Sequence, residues 1–583
     1  MAVTFEDQDG VFTKEKTLGT VQLRSLNGEI ILVPRPSSDP NDPLNWSTPF
    51  KYYVAILTCF GMLMCTFLAA GPAVAIIPQA QDFGSGPSTN LAVLLPAVAF
   101  FFTTSALTQG TGNLIWMPLI TKYGRRPMYI ISFTGYLITA IWAGATSSYK
   151  SELAARILLG FFSGAGECLG PTTITDVFFL HQRASAMAMY NFSTSSGVSL
   201  GIIISGAITL NNSWRSIYWV GASLIGALLI LIIFTFPETA YNRVYTEDDA
   251  KGPIYENKAA PFRLSLSIIL DDEKARIDRY YRENDEDSPS YEPESVSTIQ
   301  RLEARIRRLE AAVLGKNQYD PLLSGNPTKK SYWSTLALFS GEIYTSETLW
   351  TMFIRPFGLI LLPPVIWATL VMSVLIGFTV AISSSFANDL ATAYGFTAFQ
   401  SGLCFFGALI GGIIAMPAGG PVGEAVANYF TTRNGGIREP EFRLPAIAIS
   451  IITAPLGLIL YGYGLQNKLN FMIPVLGLSL VSFSGGQAIN ISFVYTLDAY
   501  SPVANEVTIA QLAFKSILGF GLSAGTNTWI AGSGIFLAST EWAIISGGTL
   551  LLAVPMFYYG KNLRKSSLKW RAIQFVRWAE DRE

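Results

Sequence analysis

Two ionisable residues stand inside one apolar stretch that is long enough to cross a bilayer. Arg156 and Glu167 lie in LAARILLGFFSGAGECLGPTTITDVFFLHQRASAM, Leu153 to Met187. They are 11 residues apart, close to three turns at about 3.6 residues per turn, so both fall on one face with Gly160 and Ser163. An ionised side chain in hydrocarbon costs at least ~2.5–3.5 kcal/mol, and such residues face a bundle interior or a wet cavity. Two kinds of chemistry fit. One is a buried structural ion pair or a helix-packing contact. The other is a solute or proton site near the membrane midplane. Burial disfavours a charged carboxylate and a nearby cation such as Arg156 favours it, an opposition that makes a proton or a cationic solute exchangeable.

Other residues offer weaker chemistry. Phe483, Gln487 and Asn490 recur at spacings of four and three, with Val494 following. They form a polar and aromatic face suited to orienting a solute or to hydrogen bonding between helices. Gln109 and Asn113 are i, i+4 neighbours with the same two readings. Lys515, two turns into its apolar stretch, is expected to pair with Glu506 or to extend toward the inner face rather than bind solute. Lys122, Gly124, Arg125, Arg126, Asp176, Arg183 and Glu424 fall at one face, where ion pairs would hold one conformational state and break in another. Gly197, Gly201 and Gly206 allow close helix approach, a packing role first and a hinge second.

The elements that must position these residues follow from composition. Half of the 583 residues are hydrophobic and 14% are charged, and mean hydropathy is +0.37. This is the composition of a polytopic membrane protein. Six apolar spans lie at roughly 52–78, 91–116, 127–147, 153–178, 186–209 and 215–236, and six more at 357–383, 397–418, 444–464, 470–495, 507–531 and 541–560. The expected fold is an all-α membrane protein of twelve transmembrane helices. Its parts are a cytosolic segment 1–50, a six-helix bundle 51–236, a cytosolic loop 237–350, a second bundle 351–560 and a basic tail 561–583. Residues 1–50 are polar and read as largely without regular structure. Within the loop, Ile299, Leu302, Ile306, Leu309 and Val313 step as an amphipathic helix. Lys and Arg concentrate in loops of one side, including Lys122, Arg125, Arg126, Arg183, Arg433, Arg438 and Arg443. That bias places both termini in the cytosol.

Several function classes are excluded. A net charge of −1 gives nothing that points to nucleic acid, and the four cysteines have neither disulfide nor zinc spacing. One histidine, His181, cannot build a metal cluster or a Ser/His/Asp constellation. No nucleophile–base pair or phosphate-binding loop is visible, so no enzyme is expected.

Six spans, a long loop and six spans resemble the layout of the major facilitator superfamily. MPLITKYGRRP is similar to its loop signature G-x-L-x-D-R-x-G-R-R through Leu119, Lys122, Gly124, Arg125 and Arg126, with Met117 and Thr121 where Gly and Asp are usual. GPVGEAVANYFTTRNGG resembles the pseudo-repeat, with Gly420 and Glu424 in the Gly and acidic slots. Arg156 and Gly160 resemble the R-x-x-x-G motif, whose Arg is linked to proton transfer in the antiporters. GVSLGIIISG is similar to the antiporter motif G-x-x-x-G-P-x-x-x-G, with Ile202 in place of Pro. DPNDPLNW, DVFFLHQR, WRSIYW, FPETAYNR, RPF and RNGGIREPEFRLP look like a fungal branch, the twelve-span drug:proton antiporter-like group that includes polyamine carriers and secondary-metabolite exporters.

The resemblance implies a monomeric carrier whose partners are a small organic solute, protons and the lipid bilayer, with a proton gradient in place of a cofactor. The expected activity is proton-coupled efflux of a secondary metabolite or toxic compound, at the plasma membrane ahead of the vacuolar membrane. Uptake or facilitated diffusion of a cationic solute such as a polyamine stands beside it. A sensor that binds solute without moving it is the alternative invited by the 114-residue loop, 237–350.

Overall fold

The computed structural model describes residues 2–7, 10–15, 21–22, 36–37, 39–83, 91–241, 330–339, 343–345, 347–500, 503–567 and 570. The amphipathic pattern at 299–313 lies outside them, as do Lys569 and Arg571 of the tail. The chain sorts into two compact units. In the smaller, which includes Pro36–Asn45, one carboxylate folds a turn: Asp42 accepts from the Ser37 N–H (3.1 Å), the Ser37 hydroxyl (3.0 Å) and the Leu44 N–H (3.0 Å).

The larger unit holds the helices. In its first half these are α1 (Thr48–Ala70), a 3-10 turn (Gly71–Ala75), α2 (Ile76–Phe83), α3 (Leu91–Tyr123), α4 (Arg125–Ala145), α5 (Tyr149–Val177), α6 (Leu180–Ile208) and α7 (Arg215–Thr235). In its second half they are α8 (Leu349–Leu359), α9 (Pro363–Tyr394), α10 (Ala398–Cys404), α11 (Phe406–Gly419), α12 (Pro421–Arg433), α13 (Ala448–Gln466), α14 (Met472–Ala499), α15 (Ala504–Ser533), α16 (Ile535–Leu551) and α17 (Ala553–Ser567). Each half packs mainly on itself. The two meet where α3 lies against α15 and α6 against α11.

Ten segments among the described residues are long and apolar enough to cross a membrane. The expected spans 91–116 and 186–209 fall on α3 and α6, which are outside that set. For α6 the reason is composition: Ser193, Ser196, Ser199 and Ser205 are buried in the protein rather than set toward lipid. Outward positions are apolar instead, with Ile138, Ile452 and Ile544 exposed at 60%, 70% and 69%. The protein is a multi-pass membrane protein.

Two expectations are corrected. The span expected at 357–383 begins later, because Pro363 and Pro364 open α9 and separate it from α8. A proline lacks the N–H a helix interior needs and is accommodated in the first turn. The polar N-terminal segment contains strands: β1 (Ala2–Asp7) pairs antiparallel with β2 (Gly10–Glu15), and β3 (Val21–Gln22) pairs with β4 (Ile437–Arg438).

Local signals explain the helix ends near the site. The Ser148 hydroxyl accepts from the Ser151 N–H at the start of α5. Gly124 takes φ 96° between α3 and α4, a value glycine alone adopts readily. A Cβ there would also stand 2.5 Å from the Glu238 carboxylate.

Candidate functional site between the two halves

Glycines bring the site together. A Cβ on Gly160 or Gly164 of α5 would run into the backbone of α3 at Ser105 and Gln109, and one on Gly110 of α3 would run into Ser516 of α15. With no Cβ in the way, α5, α3 and α15 close to side-chain reach of one another. Glu167 lies at the convergence, buried. Its Oε1 accepts from Gln109 Nε2 (3.2 Å) and from Lys515 Nζ (3.1 Å), and its Oε2 accepts from Asn113 Nδ2 (3.0 Å). The amides come from its own half of the molecule and the ammonium from the other.

Glu167 and Lys515 line two adjoining cavities, of about 180 and 60 Å³. The larger is walled by α1, α3, α5 and α6 from one half and by α9, α11, α14, α15 and Phe405, at the junction of α10 and α11, from the other. Most of its wall is apolar, with Phe102, Leu375, Ile376 and Phe405 among the contributors. A mostly apolar cavity with a few convergent polar groups is the usual form of a small-molecule site. Among the described residues no His, Cys, Asp and Glu side chains group as a metal site.

Arg156 is elsewhere. The 11-residue interval puts it on the face of Glu167 but about 16 Å away along the axis. Its Nε bonds Glu152 Oε1 (3.3 Å) and its Nη1 bonds the Leu68 carbonyl (2.9 Å). The rings of Phe102 and Tyr218 each lie 5.0 Å from the guanidinium. Glu152 is satisfied in turn by Tyr218 Oη (2.6 Å) and Thr146 Oγ1 (2.7 Å). Lys515 is therefore the cation beside Glu167, in place of Arg156. The expected pairing of Lys515 with Glu506 is corrected as well, since Glu506 bonds Arg355 (3.4 Å).

The expected polar face of the tenth span does not line either cavity. Gln487 accepts from Ser450 Oγ (2.6 Å) and donates to the Ala446 carbonyl (3.2 Å), joining α14 to the start of α13. Asn490 donates to the Gly419 carbonyl (2.8 Å) and accepts from Asn191 of α6 (2.9 Å), which links the halves. Phe483 is half-buried against the α11 side of α14, where Gly411 approaches its backbone.

At the end where α3 turns into α4, Arg125 holds Asp176 through Nε (2.9 Å) and Nη2 (3.3 Å). Arg126 is buried and donates to the carbonyls of Ile232, Ile233, Leu336, Ala337 and Phe236, closing the end of α7. Glu238 accepts from the N–H groups of Arg125 (2.9 Å) and Arg126 (3.1 Å), capping α4. Burial pushes its carboxyl above the ordinary carboxylate range, against the pull of those donors. Arg183 donates to the Thr175 carbonyl (3.4 Å).

Lys122 donates to the Glu347 carbonyl (3.2 Å), and the Glu347 carboxylate holds Arg355 (2.6 and 2.9 Å), which reaches Glu506 of α15. With Thr121 in the usual acidic slot, this route connects the loop to α15. In the second half Glu424 is held by Arg438 and Arg443 (2.9 and 2.8 Å), and Arg443 also bonds Asp498 (3.0 Å).

Gly197 and Gly201 face α1, where a Cβ would press on the Leu63 and Phe67 carbonyls, and a Cβ on Gly206 would stand 3.2 Å from the Ala398 carbonyl of α10. At the other end of α6 a Cβ on Gly420 would stand 2.9 Å from the Ala188 side chain. The seam between α6 and the second half is thus closed at both ends.

Sequence reasoning passed over Glu152, Glu238, Glu347 and Asp498. It also passed over Asp389, a carboxylate on α9 that accepts from Ser385 Oγ (2.8 Å) and Tyr461 Oη (3.1 Å). Asp389 shared the signal that singled out Glu167, an acid within an apolar run. Glu152 offered another, the i, i+4 spacing from Arg156.

The family model of the Major Facilitator Superfamily matches residues 56–526. An uncharacterised MFS-type transporter of Schizosaccharomyces pombe is 26% identical over 566 residues, covering 94% of this chain and 90% of that one. The antiporter QDR3 of Candida albicans is 23% identical, covering 82% of this chain and 72% of its own. The structure of the human organic anion transporter MFSD10 superposes with a TM-score of 0.52 at 14% identity, covering 87% of this chain and 99% of the other.

Proposed function

The chain belongs to the major facilitator superfamily, a family of transporters and not of enzymes, and from that premise we propose a twelve-span secondary active transporter with both termini in the cytosol. It moves a small organic molecule by alternating access, coupled to protons. The direction we favour is efflux of a secondary metabolite or toxic compound across the plasma membrane, supported by the likeness to an antiporter. The vacuolar membrane is the other address.

One observation carries this reading: the Glu167–Lys515 pair joins the two halves across a cavity (3.1 Å). Carriers of this architecture place solute near the midplane, between halves that rock about it. Rocking that opens one end draws the ammonium from the carboxylate. A buried charge left without its partner is costly, so the carboxylate takes a proton or a cation at that step. Solute loading and opening become one event. At the cytosolic face the contacts of Lys122, Arg125, Asp176 and Glu424 hold one state; the partly exposed Arg125–Asp176 pair contributes about 0–1 kcal/mol, and together the contacts bias a two-state equilibrium.

A second reading is uptake or facilitated diffusion of a cationic solute such as a polyamine. It is favoured by Ile202 where the antiporter motif has Pro. Purified protein in liposomes with an imposed pH gradient separates the two. Solute-triggered proton flux that Glu167→Gln abolishes is the expected outcome. Solute movement without proton flux, unchanged in the variant, would make the protein a uniporter and return Glu167 to a structural role.

A further inference from the structure

Hydroxyl groups give the cavity wall a bias that its composition hides. Thr194 donates to the Tyr190 carbonyl (3.2 Å) and Ser195 to the Asn191 carbonyl (3.3 Å). Thr379 donates to Leu375 (2.8 Å), Ser383 to Thr379 (2.7 Å) and Ser482 to Ala408 (2.7 Å), each at a backbone oxygen. All five line the larger cavity. A hydroxyl has one hydrogen to donate and two lone pairs. With that hydrogen spent on a carbonyl, each group offers the cavity an acceptor and no donor.

One more acceptor group lies at the centre. The Glu167 carboxylate has roughly four lone-pair sites, three of them engaged by Gln109, Asn113 and Lys515. Behind it the Asn113 amide, which lines neither cavity, has an Oδ1 that is buried and without a donor. Against this surplus stands one charged donor, the Lys515 ammonium, whose hydrogen bond to Glu167 spans 348 positions of the chain. Glu167 and Lys515 are the charged residues among those lining either cavity.

A wall of acceptors with one tethered ammonium is arranged for ammonium groups. We propose that Lys515 is a resident stand-in for the solute, and that the solute is an organic amine whose ammonium displaces Lys515 from Glu167 as it binds. This rests on reading the cavity as the solute site. The lysine keeps the carboxylate neutralised while the cavity is empty, and the solute must outcompete it. A charge-assisted bond to the same oxygen replaces the one broken, so Glu167 is never left bare, and the released Lys515 ammonium turns to cavity water and to the hydroxyl acceptors of the wall. The rest of the solute lies along the apolar wall.

The test removes the tether and supplies the amine. Full-length purified protein is titrated calorimetrically with n-butylammonium, and with butyrate as the opposite charge, for wild type, Lys515→Ala, Glu167→Gln and the double variant. We expect saturable n-butylammonium binding to Lys515→Ala, about tenfold tighter than to wild type, and its loss in the double variant, with butyrate inert throughout. A tenfold change is a difference an ammonium–carboxylate bond readily supplies. Lys515→Met, of similar length, serves if the alanine variant fails to fold.

Equal n-butylammonium binding to all four proteins would overturn the proposal. So would butyrate binding that disappears with Lys515, which would make the lysine an anion site. Amine binding that depends on Glu167, in a protein that moves no solute in liposomes, would leave this inference standing and remove the transport reading. Solute-triggered flux with no gain of amine binding in Lys515→Ala would do the reverse.

Discussion

Helix α5 carries two buried carboxylates, and they are treated differently. Glu152 pairs with Arg156 on the same helix, both side chains at 0% exposure, closed in by Tyr218, Thr146 and the Leu68 carbonyl. Glu167 pairs with a lysine from the other half, at 7% and 8% exposure, and both partners line the cavities. The first pair has every reason to stay as it is. Its partners lie within one half, so rocking of the halves does not stretch it, and neither residue lines the two cavities that Glu167 faces. The second is broken by any motion that parts the halves. A charge in the membrane is therefore not by itself a mark of function; what separates the two pairs is whether the partner moves and whether a solute reaches it.

The largest expected effect tests the sealed pair. Arg156→Ala leaves Glu152 buried without its cation, and breaking a buried pair by removing one partner costs about 3–5 kcal/mol. The thermal midpoint of the purified protein should fall steeply, with loss of monodisperse material. A variant as stable as wild type but unable to move solute would transfer Arg156 to the transport site and undo the contrast.

A smaller stability effect is expected at the cavity. Glu167→Gln keeps a group that Gln109 and Asn113 still meet, and the cavity lets water reach the stranded Lys515. An unsatisfied buried polar group costs about 1–3 kcal/mol, and hydration holds the loss toward the lower end. Solute-triggered proton flux should vanish all the same. The exchange Glu167→Lys with Lys515→Glu sharpens the point, since it restores the pair in reverse. Recovered thermal stability without recovered flux is expected. Recovered flux would show that the pair, and not the position of the carboxylate, carries coupling.

How much of this was legible depended on sequence distance. Glu167 declared itself as a carboxylate within an apolar run, and Arg125 and Asp176 stood at neighbouring span ends where a pair is natural. The Glu152–Arg156 spacing was equally local, but its meaning was hidden by placing Glu152 just outside the expected span at 153. Lys515 and Glu167 are separated by 348 positions and Asn191 and Asn490 by 299. No periodicity in either helix names a partner that far away, because helical spacing reports which residues share a face and not which helix that face meets. The break before α9 was visible as Pro363–Pro364, yet hydropathy alone ran through it.

The smallest expected effect lies at the loop end, where the halves differ again. Arg125 and Asp176 are exposed at 11% and 18%, whereas Glu424, Arg438, Arg443 and Asp498 form a network at 13%, 4%, 3% and 7%. A partly exposed pair contributes about 0–1 kcal/mol, which shifts a two-state equilibrium by about fivefold at most. Asp176→Asn should therefore leave the thermal midpoint almost unchanged and alter only how often that end opens. A cysteine placed at Ala188, buried against Gly420, reports the opening through its rate of labelling by a membrane-impermeant maleimide, since the four native cysteines are buried. Labelling should rise a few-fold in Asp176→Asn at low salt. The difference should shrink at about 1 M salt, where screening over about 3 Å weakens the wild-type pair as well. Glu424→Gln, in the more enclosed network, should open that end further and resist the salt. If the two variants label alike at every ionic strength, burial does not set the strength of these contacts, and the halves are equivalent at this face after all.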